Sequence, residues 1–270
     1  MIGPAHRVGV AGPGGAVGGE LLRLLAGRDV EARRLGRDGD RSFDGLDVCF
    51  FATPAAVSAR WAPAAVAAGA LAVDCSSAFR SDPRVPLVVP EVNGGLLDTR
   101  PRLVASPNCA TILLAVAVAP LHRAFGCERL SVTTFQALSG AGRQALAELE
   151  ASTRAHLAGR PDEPVALHEP LAFNVFSHDS AVDPESGLNG EEAKIAAEMA
   201  RLLEQPPRIA ATCVRVPVRR VHCEAVELTL RRAASEAEVR RILAAADGVR
   251  LVDDRAANRF PTARRAEGCG

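Results

Sequence analysis

The stretch Val8-Gly-Val-Ala-Gly-Pro-Gly-Gly-Ala-Val-Gly18 decides the fold of this chain. Residues 6–11 form a short apolar run typical of a buried strand, and residues 21–25 follow with leucines at helical spacing. Three glycines, spaced three apart, lie between the two. Glycines at a strand-to-helix turn let a pyrophosphate approach the unpaired N–H groups of the helix. The pattern predicts a dinucleotide-binding βα unit, with a plain βα turn as the alternative.

Strand-like and helical runs continue to alternate through the first half, which predicts a parallel sheet built from βαβ units. The strand-like runs are 47–53, 71–75 and 103–106, and the helical runs are 55–68 and 109–125. Beyond about residue 127 the pattern is mixed. There the strand-like runs are 128–137, 209–218 and 224–230, and the helical runs are 144–157, 191–203 and 235–246. We therefore predict an α/β, Rossmann-like domain over 1–110 and an α+β domain over 111–270.

Composition excludes several classes of protein. The 270 residues suit one or two domains, at roughly 150 residues each. Lys plus Arg is 32 and Asp plus Glu is 32, and this zero net charge argues against nucleic acid as a partner. No run of about 18 uncharged apolar residues is present, so no membrane span is predicted. The N-terminus carries no signal-peptide pattern, and we expect a cytoplasmic protein.

One cysteine has a setting that favours chemistry. The seven cysteines form no CxxC pair and no metal-ligand spacing, so neither a disulfide framework nor a metal site is predicted. Cys109, in Ser106-Pro-Asn-Cys109, opens a predicted helix, where unpaired N–H groups and the dipole stabilise a thiolate. Such a thiolate attacks acyl carbons; an ordinary structural cysteine is the equal alternative. The cysteines predicted to be structural are Cys49, Cys75, Cys127, Cys213 and Cys223.

The second predicted strand, residues 30–35, is weakly defined and does not end in an acidic residue that would bind a ribose 2′-hydroxyl. Arg33, Arg34 and Arg37 lie where a ribose 2′-phosphate could be held. This favours NADP and leaves NAD open. An arginine-rich surface loop explains the same residues.

Seven motifs, in this order, resemble the aspartate-β-semialdehyde dehydrogenase family. They are Gly-x-x-Gly-Ala-Val-Gly18, Val73-Asp-Cys-Ser-Ser-Ala-Phe-Arg80, Val85-Pro-Leu-Val-Val-Pro-Glu-Val-Asn93, Ser106-Pro-Asn-Cys-Ala-Thr111, Phe135-Gln-Ala-Leu-Ser-Gly-Ala-Gly142, Asn189-Gly-Glu-Glu-Ala-Lys194 and the segment Cys213–Val226. The resemblance implies a dinucleotide-binding domain followed by a catalytic and dimerisation domain of the glyceraldehyde-3-phosphate-dehydrogenase-like type. It also implies a homodimer.

The resemblance implies roles for individual residues. Cys109 would be the nucleophile that carries a thioester, His222 the general acid/base, and Gln136 the residue that orients the acyl group. The implied substrate-binding residues are Arg215 for the α-carboxylate, Glu191 for the ammonium, and Lys194 and Arg80 for phosphate, with Asn108 nearby. The implied cofactor-binding residues are Gly12, Gly15, Ala16, Val17, Gly18, Ser139, Gly140, Ala141 and Gly142.

Each of these residues could instead have an ordinary structural role, and Lys194 illustrates the comparison of the two interpretations. Glu191 and Lys194 are three residues apart and would also make an ordinary helical ion pair. Yet the chain has 31 arginines and a single lysine, so composition alone would favour Arg at position 194. A point charge for phosphate gives a reason for lysine there.

The implied reaction is the NADPH-dependent reductive dephosphorylation of L-aspartyl-4-phosphate to L-aspartate-4-semialdehyde, a step of lysine, threonine and methionine biosynthesis. Two departures from the family pattern qualify it. The stretch between Gly18 and Asp47 is short, and the chain ends several dozen residues before the family does. The alternatives are a truncated or non-catalytic homologue that acts through dimerisation, and a related acyl-phosphate reductase such as N-acetyl-glutamyl-phosphate reductase.

Overall fold

A computed structural model describes residues 6–36 and 42–268 of the chain. By its internal contacts the chain divides into two compact units, Met1–Asn108 and Cys109–Gly270. The second unit therefore begins at the cysteine that the sequence singles out.

The first unit is a five-stranded parallel sheet with helices in its connections. Its elements are β1 (Arg7–Ala11), α1 (Ala16–Ala26), β2 (Glu31–Leu35), β3 (Val48–Phe51), α2 (Ala55–Ala67), β4 (Leu71–Asp74), α3 (Pro90–Asn93), a 3₁₀ segment (Gly94–Thr99) and β5 (Leu103–Ala105). The strand order is β2-β1-β3-β4-β5. The chain thus leaves β1 for one side of the sheet and returns for β3 on the other, which makes the β1/β3 gap the topological switch point.

The burial of each strand in the first unit explains why some strands were clearly predicted from the sequence and β2 was predicted only weakly. Val8 and Val10 of β1 are fully buried, as are Cys49 of β3 and Ala72 of β4, so these strands are apolar runs. In β2 every residue except Leu35 is exposed, because β2 is the edge of the sheet. An edge strand needs few apolar residues, and its sequence signal is correspondingly weak.

The second unit is a four-stranded mixed sheet with helices packed against it. Its elements are α4 (Cys109–Phe125), β6 (Cys127–Gln136), a 3₁₀ segment (Leu138–Ala141), α5 (Arg143–Leu157), β7 (Phe176–Ser177), α6 (Gly190–Leu202), β8 (Arg208–Arg215), β9 (Cys223–Leu230), α7 (Glu236–Ala244) and α8 (Ala263–Ala266). The strand order is β7-β8-β6-β9, and β6 runs parallel to β8 and antiparallel to β9.

Helix α6 begins at a capping box that orients its first turn. The Asn189 side chain accepts from the backbone N–H groups of Glu191 and Glu192, and the Glu192 carboxylate accepts from the backbone N–H of Asn189. The other carboxylate oxygen of Glu192 accepts from the N–H of Cys213 on β8, at 2.9 Å. The start of α6, where Glu191 lies, is therefore fastened to the sheet.

The prediction that the strand-like run 209–218 continues as a strand to Val218 is wrong. β8 ends at Arg215, and the next residue, Val216, donates its N–H to the carbonyl of Gln136. Pro217 has no N–H and cannot continue the ladder. The early end matters because it leaves Arg215 as the last residue of its strand.

The predicted fold class is confirmed: an α/β, Rossmann-like sheet is joined in sequence to an α+β unit. Within residues 6–36 and 42–268, no helix is both long and apolar enough to cross a membrane.

Candidate functional site

A cavity of about 720 Å³ opens in the first unit at the switch point between β1 and β3. The residues that line it come from the glycine turn, from the ends of β1, β2 and β3, from the segment between β2 and β3, and from the first half of α2 with the residues before it. They are Ala11, Gly12, Pro13, Gly14, Gly15, Leu35, Gly36, Phe43, Phe51, Ala52, Thr53, Pro54, Val57 and Trp61. Its position is the one at which open α/β sheets bind dinucleotides.

Two of the glycines are required by close backbone contacts. Gly12 has φ of 80°, and a Cβ on it would lie 2.2 Å from the carbonyl oxygen of Ala52. A Cβ on Gly18 would lie 2.1 Å from the carbonyl oxygen of Gly12. The turn can therefore be built only with glycine at both positions, and it brings the start of α1 against the end of β1.

The start of α1 can receive an anion. Gly15 is the N-cap, and within the described residues no side chain caps the helix and no acidic residue lies in its first turn. The first N–H groups of a helix have no intrahelical acceptor, and together with the helix dipole they favour a phosphate at this turn. The glycine cradle, the bare helix start and the cavity together fit a dinucleotide.

Aromatic side chains form one wall of this cavity. The Phe43 and Trp61 rings have centroids 6.3 Å apart, and Trp61 is the only tryptophan in the chain. Of the arginines proposed for a 2′-phosphate, Arg33 and Arg34 are exposed on β2, and the Arg33 guanidinium donates to the carbonyl of Ser42. Arg37 lies outside the described residues.

The tryptophan makes cofactor binding directly measurable. We expect Trp61 emission to fall on titration with NADPH, because Trp61 lines the cavity and reduced nicotinamide absorbs at its emission wavelength. Gly12→Ala should weaken the binding at least roughly tenfold, since its Cβ would overlap the Ala52 carbonyl. Gly27→Ala, at the other end of α1, is the matched control, because the nearest atom to a Cβ there would be the Leu24 carbonyl oxygen at 3.9 Å. Wild-type affinity in a folded Gly12→Ala protein would rule this cavity out as the cofactor site.

Two of the residues assigned to substrate, Arg80 and Asn108, belong to the first unit. The Arg80 guanidinium donates to the carbonyls of Ser106 and Cys75, both at 2.9 Å. It therefore joins the chain after β4 to the chain after β5. Asn108 is buried as the last residue of the unit.

Another family motif is structural in this chain. The Asn93 side chain accepts from the backbone N–H of Val89 and donates to the carbonyl of Leu87, at 2.9 and 2.8 Å. These bonds close the turn that leads into α3. These hydrogen bonds give Asn93, the last residue of the Val85–Asn93 motif, a structural role.

In the second unit, Cys109 and His222 are in contact although 113 residues separate them. The Cys109 Sγ atom lies 3.2 Å from the His222 Nε2 atom, and Cys109 is exposed at the first residue of α4. His222 immediately precedes β9, which pairs antiparallel with β6. A solvent-accessible sulfur at a helix start beside an imidazole is the arrangement of a cysteine nucleophile.

The other ring nitrogen of His222 decides its tautomer. The backbone N–H of Ala137 donates to Nδ1 at 2.9 Å. A backbone N–H can only donate, so Nδ1 is unprotonated and the neutral ring carries its proton on Nε2, facing the sulfur. Burial, with a further contribution from the Arg215 charge, lowers the pKa of His222 to about 4. His222 is therefore a neutral hydrogen-bond donor to Cys109 at physiological pH.

The remaining described cysteines differ from Cys109 in their surroundings. Burial raises the pKa of Cys49 to about 12 and those of Cys75 and Cys213 to about 11. Burial also raises the pKa of Cys127. Cys223 is exposed on β9, like Cys109, but it does not begin a helix.

Gln136 and Arg215 are neighbours because their strands end together. They are register partners at the ends of the parallel strands β6 and β8. Both side chains are buried, and an Arg215 Nη1 hydrogen is donated to the Gln136 Oε1 atom at 3.4 Å and to the Ala137 carbonyl at 3.3 Å. A buried amide and a buried cation thus lie side by side.

Gln136 also connects to the first turn of α6. Its Nε2 donates to the Glu191 Oε1 atom at 3.3 Å, and Lys194 Nζ lies 3.4 Å from the other carboxylate oxygen. The Glu191 side chain is 5% exposed and that of Lys194 is 43% exposed. The four side chains form a continuous polar row, in which Gln136 lies between the cation and the carboxylate.

The segment Ser139–Gly142, assigned to cofactor, lies in the second unit. Ser139 donates its N–H to the Arg219 carbonyl, and Gly142 has φ of 93°. A Cβ on Gly140 would lie 3.3 to 3.4 Å from the His222 ring and from Arg215 Nη1. The backbone at Gly140 therefore passes directly beside the catalytic candidates, and Ala141 follows within the same 3₁₀ segment.

Sequence reasoning missed two residues of this site, His178 and Asp179. The Asp179 Oδ1 atom accepts from Arg215 Nε at 2.6 Å, and the His178 side chain is 8% exposed. Both lie in the segment between β7 and α6, which has no periodic pattern. The only signal was the adjacent pair of titratable residues itself.

Comparisons with known proteins follow the same division of the chain. The semialdehyde dehydrogenase NAD-binding domain matches residues 28–99, and the semialdehyde dehydrogenase dimerisation domain matches residues 118–269. Aspartate-semialdehyde dehydrogenase of Synechocystis sp. is 38% identical over 97% of this chain and 84% of that protein. The Bacillus subtilis enzyme is 33% identical over 99% and 86%.

A solved structure agrees with the sequence relatives. Aspartate semialdehyde dehydrogenase II of Vibrio cholerae, complexed with ASA, superposes with a TM-score of 0.90 at 32% identity. The superposition covers 97% of this chain and 84% of that one.

The parallel sheet with its glycine cradle and the mixed sheet with its Cys–His pair define an enzyme class, the semialdehyde dehydrogenases that use a nicotinamide dinucleotide. Within that class, the relatives and the solved structure described above are aspartate-semialdehyde dehydrogenases. The chain belongs to the aspartate-semialdehyde dehydrogenase family.

Proposed function

We propose that this protein reduces L-aspartyl-4-phosphate to L-aspartate-4-semialdehyde with NADPH, through a thioester on Cys109. The observation that carries the proposal is the 3.2 Å contact between the exposed Cys109 sulfur and His222, together with a polar row in which the cation of Arg215 and the carboxylate of Glu191 are both buried. An amino acid bears one anionic and one cationic group at its α-carbon. The row offers a complementary partner to each.

Different residues bind the different groups of the substrate. Arg215 pairs with the α-carboxylate, for which a guanidinium fork is the best partner. Glu191 holds the α-ammonium, Lys194 and Arg80 bind the phosphate with Asn108, and Gln136 orients the acyl group. The support in the second unit is the polar row Arg215–Gln136–Glu191–Lys194, whose hydrogen bonds are all between 3.3 and 3.4 Å.

Cys109 performs the covalent chemistry. Its thiolate attacks the acyl carbon, the carbon–oxygen bond to phosphate breaks, and a thioester remains on the sulfur. When bound, the dinucleotide supplies the hydride that reduces this thioester to the aldehyde level. The carbon–sulfur bond then breaks, the semialdehyde leaves and Cys109 is again a thiolate. The balance consumes one proton, which ends on the released phosphate.

His222 acts in this scheme as a neutral donor rather than as a base. Its Nδ1 already accepts from Ala137, so the Nε2–H is available to the thiolate and to the oxygen that becomes negative when the acyl carbon is tetrahedral. The collapse of that oxyanion expels the thiolate without any proton transfer. A donor of low acidity suits these steps, because it stabilises anions without protonating the nucleophile.

The cofactor preference, the assembly and the location complete the proposal. NADP is preferred over NAD, since Arg33 and Arg34 are exposed on β2, the strand whose end lines the cavity. The match to a semialdehyde dehydrogenase dimerisation domain supports a homodimer. The proposed location is the cytoplasm.

The assay runs the reaction in the oxidative direction. We expect formation of NADPH from aspartate semialdehyde and NADP only when inorganic phosphate is present, with a higher kcat/KM for NADP than for NAD. N-acetylglutamate semialdehyde as the alternative substrate should be turned over at least roughly 100-fold less well, because the acetylated nitrogen cannot pair with Glu191. A folded protein without turnover on either aldehyde would favour the non-catalytic alternative.

A further inference from the structure

Arg215 is held from behind by a carboxylate that the reaction scheme does not use. Its Nε donates to the Asp179 Oδ1 atom at 2.6 Å, the shortest contact that the guanidinium makes within the described residues. The Arg215 side chain is 4% exposed and that of Asp179 is 25% exposed. The hydrogen bond and the charge of Arg215 overcome the effect of burial and keep the pKa of Asp179 below its ordinary value, so the pair is ionic.

Because Asp179 contacts the Nε side of the Arg215 guanidinium, the Nη1 and Nη2 side is left to contact a ligand. Asp179 takes Nε, and Nη1 is shared between Gln136 and Ala137 at the longer distances of 3.4 and 3.3 Å. Nη2 has no hydrogen-bond acceptor among residues 6–36 and 42–268. Because an arginine fork binds a carboxylate through two parallel N–H groups, the fixed Nε determines the direction in which the fork points.

The segment that bears Asp179 is itself fixed at several points. His178 donates its N–H to the Cys213 carbonyl on β8, and its ring Nδ1 accepts from the backbone N–H of Ser180. The Ser180 hydroxyl oxygen accepts from the N–H of Glu191 at 3.1 Å, and Ala181 accepts from the N–H of Gly190. Residues 178–181 therefore touch both the strand that carries Arg215 and the helix turn that carries Glu191.

We propose that Asp179 is a positioning residue, which orients the Arg215 fork toward the α-carboxylate of the substrate and couples that fork, through residues 178–181, to the Glu191 turn. The proposal rests on the proposed function for the identity of the ligand. Asp179 touches no reacting atom and acts only through Arg215. Its loss should therefore weaken recognition of the amino-acid end of the substrate, while the phosphate end and the sulfur are unaffected.

The test is a set of substitutions read by KM and kcat separately. Asp179→Glu keeps the charge but moves it, and should raise KM for the semialdehyde roughly tenfold. Asp179→Ala should raise it roughly 10- to 100-fold, and Asp179→Asn, whose amide oxygen still accepts from Nε, should remain within about threefold of wild type. KM for phosphate and kcat should change by less than about threefold in all of them. Asp183→Asn, an exposed aspartate of the same segment, is the matched control.

A double-substitution cycle tests whether Asp179 acts through Arg215. In an Arg215→Ala background, Asp179→Ala should add no further increase in KM, since there is no fork left to orient. Multiplicative effects would overturn the proposal, and so would an unchanged KM in the Glu variant. If Asp179→Ala does not fold, the Glu and Asn variants decide the question alone.

A failure of the proposed function is distinguishable from a failure of this inference. If the wild-type protein does not turn over the semialdehyde, the cycle is read by urea unfolding instead. The midpoint shifts of Asp179→Asn and Arg215→Lys should then be non-additive if the pair is coupled. Additive shifts would reject the coupling irrespective of substrate.

Discussion

Replacement of Cys109 by alanine should reduce the phosphate-dependent formation of NADPH by at least roughly 10⁴-fold. The physical reason is that no other described cysteine combines exposure, a helix start and an imidazole 3.2 Å away. Without the sulfur no thioester can form, and phosphate and aldehyde would have to react directly. Binding of NADPH, measured by Trp61 emission, should be unchanged, because the cavity lies wholly in the first unit.

Cys223 provides the matched control for this substitution. It is also exposed, but it lies within β9, where the hydrogen bonds of a sheet leave no cluster of free N–H groups. Cys223→Ala should retain at least about half of the activity. Iodoacetamide should inactivate the wild type and the Cys223→Ala protein at similar rates. If activity survives in Cys109→Ala and is lost in Cys223→Ala, the nucleophile is Cys223 and the assignment to Cys109 is wrong.

Substitution of His222 should produce the second largest effect. His222→Ala removes the Nε2–H donor and leaves the Ala137 N–H without its acceptor, so we expect kcat to fall by roughly 10²- to 10⁴-fold. His222→Gln can restore an N–H near the sulfur, and it should recover at least about tenfold over the alanine variant. Equal activities of the two variants would argue against a donor role.

The pH profile separates a neutral donor from a base. Burial first, and the cation of Arg215 second, lower the pKa of His222 to about 4, a value that already includes the opposing effect of the Glu191 charge. The nearby His178 contributes in the same direction as Arg215. The imidazole is therefore neutral above about pH 5, and protonation at Nδ1 on acidification would oppose the Ala137 N–H. Activity that depends on His222 should be lost as the pH falls toward 4.

The measurement is kcat/KM for the semialdehyde between pH 4 and 8, in wild type and His222→Gln. We expect no inflection near pH 6.5 that is present in the wild-type profile and absent from that of His222→Gln. Such an inflection would mean that His222 titrates at its ordinary value and exchanges protons with Cys109, as a general base does.

Local features of this site were readable from the sequence because their causes are local. The glycine turn follows from steric contacts within residues 12–18 and with Ala52, and the start of α4 at Cys109 follows from the residues around it. The capping box of α7, in which Ser235 pairs with Glu238, has a local cause of the same kind, because the two residues lie three apart in the sequence. A feature set by neighbours in sequence leaves a pattern of fixed spacing.

The sequence by itself thus determined the parallel dinucleotide-type sheet, the mixed second unit and the cysteine at a helix start. Tertiary structure alone decided the rest. It showed that His222 reaches Cys109 across 113 residues, that Arg215 ends its strand beside Gln136, and that Asp179 holds Arg215. The physical reason is that these contacts depend on strand register and on the path of a loop without periodicity, and neither is encoded by the spacing of residue types along the chain.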